Sequence, residues 1–174
     1  MRDQFRILAR EELRQFTCRS WVVDFLLEYW LSLSSGDGPP PRSAIDPAAL
    51  KLILPHIMLV ELSEPPFRAR YRLVGTAVVE HTKLDFTNYY ADDILFQDAD
   101  GTDWTSCYRQ VAQAGLPGFG ISHWMPEQTF TQWTEFLICP LLGKDGRLSQ
   151  FIAAEEYEPL PGHMLDQFRA RPLE

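Results

Sequence analysis

His56, His81, His123 and His163 are the imidazoles of this 174-residue chain, and no two of them stand in an HxH, HxxE or HExxH spacing. Without such spacing no metal set is written into the sequence. His81 and His123 each fall in an element that would face an interior, where a single imidazole serves as a haem ligand, an acid–base group or a hydrogen-bonded core residue. One histidine alone is a weak haem signal, so neither haem nor flavin is expected, and an unidentified small molecule is the ligand class left open. Asp98, Asp100 and Asp103, with Asp92 and Asp93 before them, resemble the start of a calcium loop. The register fails: Gly101 stands fourth instead of sixth, and Arg109 takes the twelfth place, where a bidentate Glu is required. A solvated loop with Asp103 at a helix N-terminus is the plainer reading. Cys18, Cys107 and Cys139 are odd in number and widely spaced, which argues against disulfides and zinc and fits a reducing compartment. No GxSxG, no GxxxxGK[ST] and no Asn-Cys-Arg-Phe motif is present. The glycines of the run from Gly115 to Gly120 precede a strand instead of opening a helix, so they form a loop and not a phosphate cradle.

These side chains need elements to position them. Residues Arg2 to Ser34 contain no Gly or Pro and read as helical, with Phe25, Leu26, Tyr29, Trp30 and Leu33 at helical spacing. Ser20 is a plausible N-cap, which divides the segment into a basic first part and an apolar second. The run from Ser34 to Pro41 stops the helix. Asp46-Pro47 opens a short apolar turn that Pro55 ends. Ile57 to Leu62 is an apolar run of strand length. Arg68 to Val74 alternates with period two, placing Tyr71 and Leu73 on one face. A short helix spans Ala77 to Lys83, and another runs from Asp103 to Ala114, closed by Gly115. Gly118 to Trp124, Phe130 to Leu141 and Leu148 to Tyr157 read as strands, the last two joined by the turn Lys144-Asp145-Gly146-Arg147. Hairpin-length connections make neighbours antiparallel. The expected architecture is α+β: a five-stranded antiparallel sheet with short helices on one face and an N-terminal helical extension. Its parts are the extension 1–36, a Pro/Gly linker 37–44, the main domain 45–160 and a tail 161–174.

Aromatic residues make up 13% of the chain and net charge is −8. The acidic balance argues against nucleic acid and against anionic membranes. The charged N-terminus lacks a signal peptide's apolar core, and Trp21 to Leu33 falls short of a membrane span, so a cytoplasmic protein is expected. Tyr71, Leu73, Val78, His81, Phe86, Tyr89, Tyr90, Phe119, Ile121, His123, Phe136 and Ile138 would line a cavity between sheet and helices. Such a cavity is apolar with a few polar handles, as small-molecule sites are, although aromatics at strand spacing also simply fill cores. Trp21, Phe25, Leu26, Tyr29 and Trp30 offer more apolar helix surface than one small sheet requires, which points to an interface with a second copy or a partner.

The stretches Leu26-Leu27-Glu28-Tyr29-Trp30, Ile45-Asp46-Pro47, Leu54-Pro55-His56, Arg70 to Glu80, Asp85-Phe86-Thr87 and Phe136 to Leu141 resemble single-domain PAS-like proteins common in alphaproteobacteria. The Tyr71-Arg72-Leu73-Val74-Gly75-Thr76 block is the most specific of them. The resemblance implies a PAS fold, a sensory or signalling role, helical flanks that mediate dimerisation, and output through a partner protein. His81-Thr82-Lys83-Leu84 and the aromatic strand Ile121 to Pro126 depart from the family's pattern near the expected pocket. The leading expectation is a non-enzymatic signalling module with no catalytic residue. Two alternatives stand beside it: a small enzyme using His123 and a carboxylate as acid and base, and a ligand-free structural adaptor.

Overall fold

The computed structural model describes residues 5–34, 38–94, 102–124 and 132–159. His163, Asp98, Asp100 and the expected tail 161–174 lie outside them. Six strands form one antiparallel sheet in the order β1-β4-β5-β6-β2-β3. The strands are β1 (Phe5–Ile7), β2 (Ile57–Ser63), β3 (Arg68–Val74), β4 (Gly118–Trp124), β5 (Gln132–Leu142) and β6 (Leu148–Pro159). The helices are α1 (Trp21–Leu33), α2 (Thr76–Thr82) and α3 (Trp104–Ala114). The α+β class is as expected.

The central strands β5 and β6 are buried on both faces, because side chains alternate across a strand. Leu137, Cys139, Leu141, Ile152 and Ala154 face α1 and join Val22, Val23, Leu26, Leu27 and Trp30 in one core. Phe136, Ile138, Phe151 and Ala153 face the other way and join Val78 of α2 and Trp104, Tyr108 and Val111 of α3 in a second core. The sheet therefore separates two apolar layers.

α1 is fixed to the sheet by polar groups as well as by packing. Ser20 caps the helix by accepting the Val23 N–H through its hydroxyl. That hydroxyl also donates to the Glu156 carboxylate at 2.6 Å. The buried Glu135 carboxylate accepts the Arg19 and Ser20 N–H groups at 2.9 and 2.7 Å. Glu135 and Glu156 are directly opposed on β5 and β6. At the far end the Trp30 indole donates to the Pro140 carbonyl at 2.8 Å. Asp103 caps α3 by accepting the Ser106 N–H, and Gly115 closes it at φ 63°, both where the sequence places them.

The N-terminal reading requires correction. Among the described residues before Ser20 none is helical: Phe5–Ile7 adds a sixth strand along β4, pairing Phe5 with Gly120 and Ile7 with Gly118. A Cβ on Gly118 would strike the Phe5 ring and come within 2.8 Å of Val111, so only glycine admits β1 there. The Phe5 ring then lies parallel to Phe136, 5.8 Å between centroids. The stretch 38–44 is not a free linker either. Pro41 bridges Leu142, and the Leu142 N–H donates to the Pro40 carbonyl. Pro55 sits inside the 3-10 turn Leu54–His56 and does not terminate it.

Gly75, between β3 and α2, donates its N–H to the Ile57 carbonyl at 2.8 Å. A Cβ there would fall on the Pro55 carbonyl oxygen and within 2.9 Å of the Ile57 oxygen. Both obstacles are backbone, so Gly75→Ala is expected to cost about 1–3 kcal/mol through forced overpacking, read as a lower urea midpoint. Glu135→Ala should cost about 1–3 kcal/mol as well, because two N–H groups at the start of α1 lose their acceptor. Glu135→Gln, which keeps an acceptor oxygen, should lose less. Equal losses for the two Glu135 variants would show that the carboxyl position is not an acceptor site.

Candidate functional site

The interior between the sheet and α2/α3 gathers Tyr71, Val78, Phe86, Phe136 and Ile138, all buried, as the sequence reading grouped them. The Tyr71 ring meets Phe86 edge-on at 4.6 Å and Tyr108 at 6.1 Å. Tyr108 lies 5.2 Å from Phe151, and Trp104 lies 4.6 Å from Phe136. Trp104, Tyr108 and Phe151 were missed in the sequence. Their signal was present: Trp104, Tyr108 and Val111 share one face of α3 at helical spacing, and Phe151 alternates with Ile152 on β6. Edge-to-face ring packing of this kind fills volume efficiently.

Several expected lining residues stand elsewhere. Leu73 is 42% exposed and does not share a face with Tyr71. β2 and β3 pair Leu59 with Leu73 but Val60 with Tyr71, so Arg72 is an extra residue in a β-bulge. A bulge shifts the alternation by one. Phe119 pairs with Leu137, on the α1 side of the sheet, and packs edge-on to Phe16 at 4.9 Å. Ile121 is half-buried and pairs with Glu135, on that same side. The α2/α3 side of β4 is occupied by Gly118 and Gly120, opposite Ile138 and Phe136. The His123 side chain lies outside the described residues.

Tyr89 and Tyr90 border the free edge of β3 and not the interior floor. The Tyr71 N–H donates to the Tyr89 carbonyl, the Asn88 N–H donates to the Tyr71 carbonyl, and Tyr89 itself is 53% exposed. Arg68 holds this segment in place. Its guanidinium forks onto the Asp92 carboxylate at 2.9 Å, reaches Asp93 at 2.7 Å and lies 3.8 Å from the Tyr90 ring centroid. Fork geometry with ring stacking suits Arg alone among the cations. The acidic pair Asp92 and Asp93 therefore serves a structural ion pair at this edge; among the described residues no cluster suited to a metal ion occurs.

On α2, the His81 ring lies flat against Tyr157, 3.5 Å between centroids and 16° between planes. The Tyr157 hydroxyl donates to the Glu155 carboxylate. Tyr108 is hydrogen-bonded to Tyr71, and burial first, then Tyr71, push its phenol well above the usual range. Burial first, and then the Lys83 ammonium, lower His81 from 6.5 to about 4. His81 is therefore a neutral, stacked aromatic at neutral pH.

The sequence matches the PAS domain family over residues 20–154. The chain belongs to that family. The match begins at the cap of α1, so the helix lies inside the family's span. No curated protein matches the chain. Among solved structures, the light state of the aureochrome1 LOV blue-light photoreceptor is 10% identical, covering 68% of this chain and 91% of that one at TM-score 0.47. An RNA-binding light-oxygen-voltage receptor is 17% identical at TM-score 0.47; the match covers 79% of this chain and 42% of that one, less than half its length. A light-oxygen-voltage domain studied with a flavin analogue is 11% identical, covering 70% and 89% at TM-score 0.45.

The His81 shift has a testable sign. Above pH 6.5 the imidazole is neutral in folded and unfolded chains alike. As pH falls from 6.5 toward about 4 the unfolded chain takes up the proton first, so stability is lost across that window. His81→Phe keeps the ring against Tyr157 and removes the titration. Its urea midpoint should fall less between pH 6.5 and 4 than that of the wild type, and parallel profiles would contradict the assignment.

Proposed function

We propose that this PAS-domain chain is a non-enzymatic signalling module that acts by protein contact through α1, first of all with a second copy of itself. The observation that supports this reading is the arrangement of α1. Its Val22, Val23, Leu26, Leu27 and Trp30 side is spent on the chain's own sheet. Trp21, Phe25 and Tyr29 then form a stripe at i, i+4 and i+8 along the flank. Trp21 is 51% exposed, and Phe25 and Tyr29 are half-buried. Leu26 and Trp30, expected at an interface, are committed to the fold. The interface narrows to the stripe.

The family supports a sensory role, and the interior supports a signal that does not require a large cofactor: Tyr71, Phe86, Tyr108, Phe136 and Phe151 already occupy the space between sheet and α3. A small ligand entering there would displace rings, and displaced rings press on β5 and β6, which hold the cap of α1 through Glu135 and Glu156. The output is then a population shift in how the α1 stripe is presented. No helix among the described residues is long and apolar enough to cross a membrane, and a cytoplasmic, bacterial setting accords with this reading.

Sedimentation of the wild type and of Trp21→Asp tests it. The wild type should sediment as a dimer and the variant as a monomer that still unfolds cooperatively, because Trp21 contributes little to the core. Trp30→Asp is the wrong probe: Trp30 is 3% exposed and hydrogen-bonded to β5, so that variant would unfold the chain. A monomeric wild type, or a dimer untouched by Trp21→Asp, overturns the reading.

A further inference from the structure

A groove of about 230 Å³ opens away from the ring-filled interior, between the flank of α3 and the β2–β3 turn. Its lining is mixed, with more polar than apolar surface; the apolar part comes from Leu62, Phe67, Ala112 and Leu148, half-buried residues at the rim of the α3-side core. Two opposite charges line it from different elements, Glu64 on the turn and Arg109 on α3. Neither is engaged in an ion pair among the described residues. Arg109 lies 5.0 Å from the Phe67 ring centroid, which braces the guanidinium at the groove wall. Gln113, one turn further along α3, adds an amide.

We propose that this groove is a binding site for a free α-amino acid with an apolar side chain. The chemistry that recognises such a ligand is a cationic donor for the carboxylate, an anionic acceptor for the ammonium and an apolar surface side by side. The braced Arg109 fork takes the carboxylate in bidentate fashion. Glu64 takes the ammonium, and Gln113 donates to the carboxylate. The apolar part of the lining receives the side chain. A cation and an anion that share a groove without closing on each other leave room for a zwitterion between them. Either charge alone would favour a simple anion or cation; the pair selects a ligand carrying both. The volume lies below the roughly 300–1,000 Å³ of drug-sized sites, which sets the ligand at the size of one residue. Both charges are exposed, so the site exchanges ligand rapidly. This site is separate from the α1 stripe, and its test does not depend on the dimer.

Titration of the ¹⁵N-labelled full chain with L-leucine, L-methionine and L-phenylalanine, read by amide chemical shifts, tests the assignment. At least one should give saturable shifts at Leu62, Phe67, Ala112 and Leu148. Leucinamide, which lacks the carboxylate, and 4-methylpentanoate, which lacks the ammonium, should each bind roughly ten-fold more weakly or worse than leucine. Arg109→Gln and Glu64→Gln are exposed substitutions whose spectra should remain folded, and each should weaken leucine by a similar roughly ten-fold factor. Absence of saturable shifts with all three amino acids overturns the proposal. So do shifts confined to Tyr71, Phe86 and Tyr108, equal binding of leucine and 4-methylpentanoate, or affinity unchanged in both variants.

Discussion

The burial of β5 and β6 on both faces is the constraint from which the remaining structure follows. A strand with water on one side can alternate apolar and polar residues; a strand covered twice cannot. β5 accordingly runs buried from Thr134 to Leu141. Two consequences follow. Each face needs its own cover, which is why α1 and the pair α2/α3 lie on opposite sides. Every polar group that enters the buried strands also needs a partner. Glu135 meets this by taking the N–H groups of Arg19 and Ser20, where a helix start has donors without intrahelical acceptors. Burial still raises the Glu135 carboxyl above its usual range, and those N–H donors with the Cys18 thiol pull it partly back. The helix and the carboxylate satisfy each other.

That mutual need makes the α1 attachment directional. Apolar packing alone lets a helix slide on a sheet, because contact area changes little with small displacements. A hydrogen bond does not tolerate such movement. α1 is pinned at both ends: Ser20 between Glu135 and Glu156, and the Trp30 indole on the Pro140 carbonyl. Pro140 lies beyond the last β4 pair at Ile138, where β5 has lost that neighbour. A proline is tolerable in this otherwise central strand for that reason. The Tyr29 hydroxyl adds a third tie, accepting the Asp46 N–H at 2.8 Å.

What could be read in advance follows the same physics. Strong local rules were legible. The turn residues Gly115 and Asp145-Gly146, the caps Ser20 and Asp103, and the strand-length runs of β2 to β6 each depend on neighbours in sequence. The PAS fold was readable from that order together with the Tyr71-to-Thr76 block. β1 was not, because three residues in a basic arm carry no period of their own. Phe5–Ile7 becomes a strand only because Gly118, more than a hundred residues away, leaves space for it. The bulge at Arg72 was equally silent: it is a mismatch between two strands and exists in neither alone. It removed Leu73 from the interior. Phe119 failed for a related reason, since alternation groups residues on a face but does not say which face a strand turns to which helix. The α1 stripe was half legible. Periodicity marks an apolar helix, but only the sheet decides that Leu26 and Trp30 are inside and Trp21 is out.

The two cores lie on opposite faces of one sheet, and β2, β5 and β6 each contribute side chains to both. Phe136 and Glu135 show how closely the two layers meet. They are consecutive residues on opposite faces of β5. Phe136 is wedged between the Phe5 ring and Trp104 of α3, while Glu135 holds the start of α1. A close-packed interior transmits displacement instead of absorbing it. A displacement of the Phe136 ring would therefore bear first on the β5 backbone beside the carboxylate that holds Ser20. The edge strand that the basic arm contributes thus helps to fix that ring. Phe5 of β1 and Trp104 of α3 both pack on Phe136, so its position is set by two elements at once.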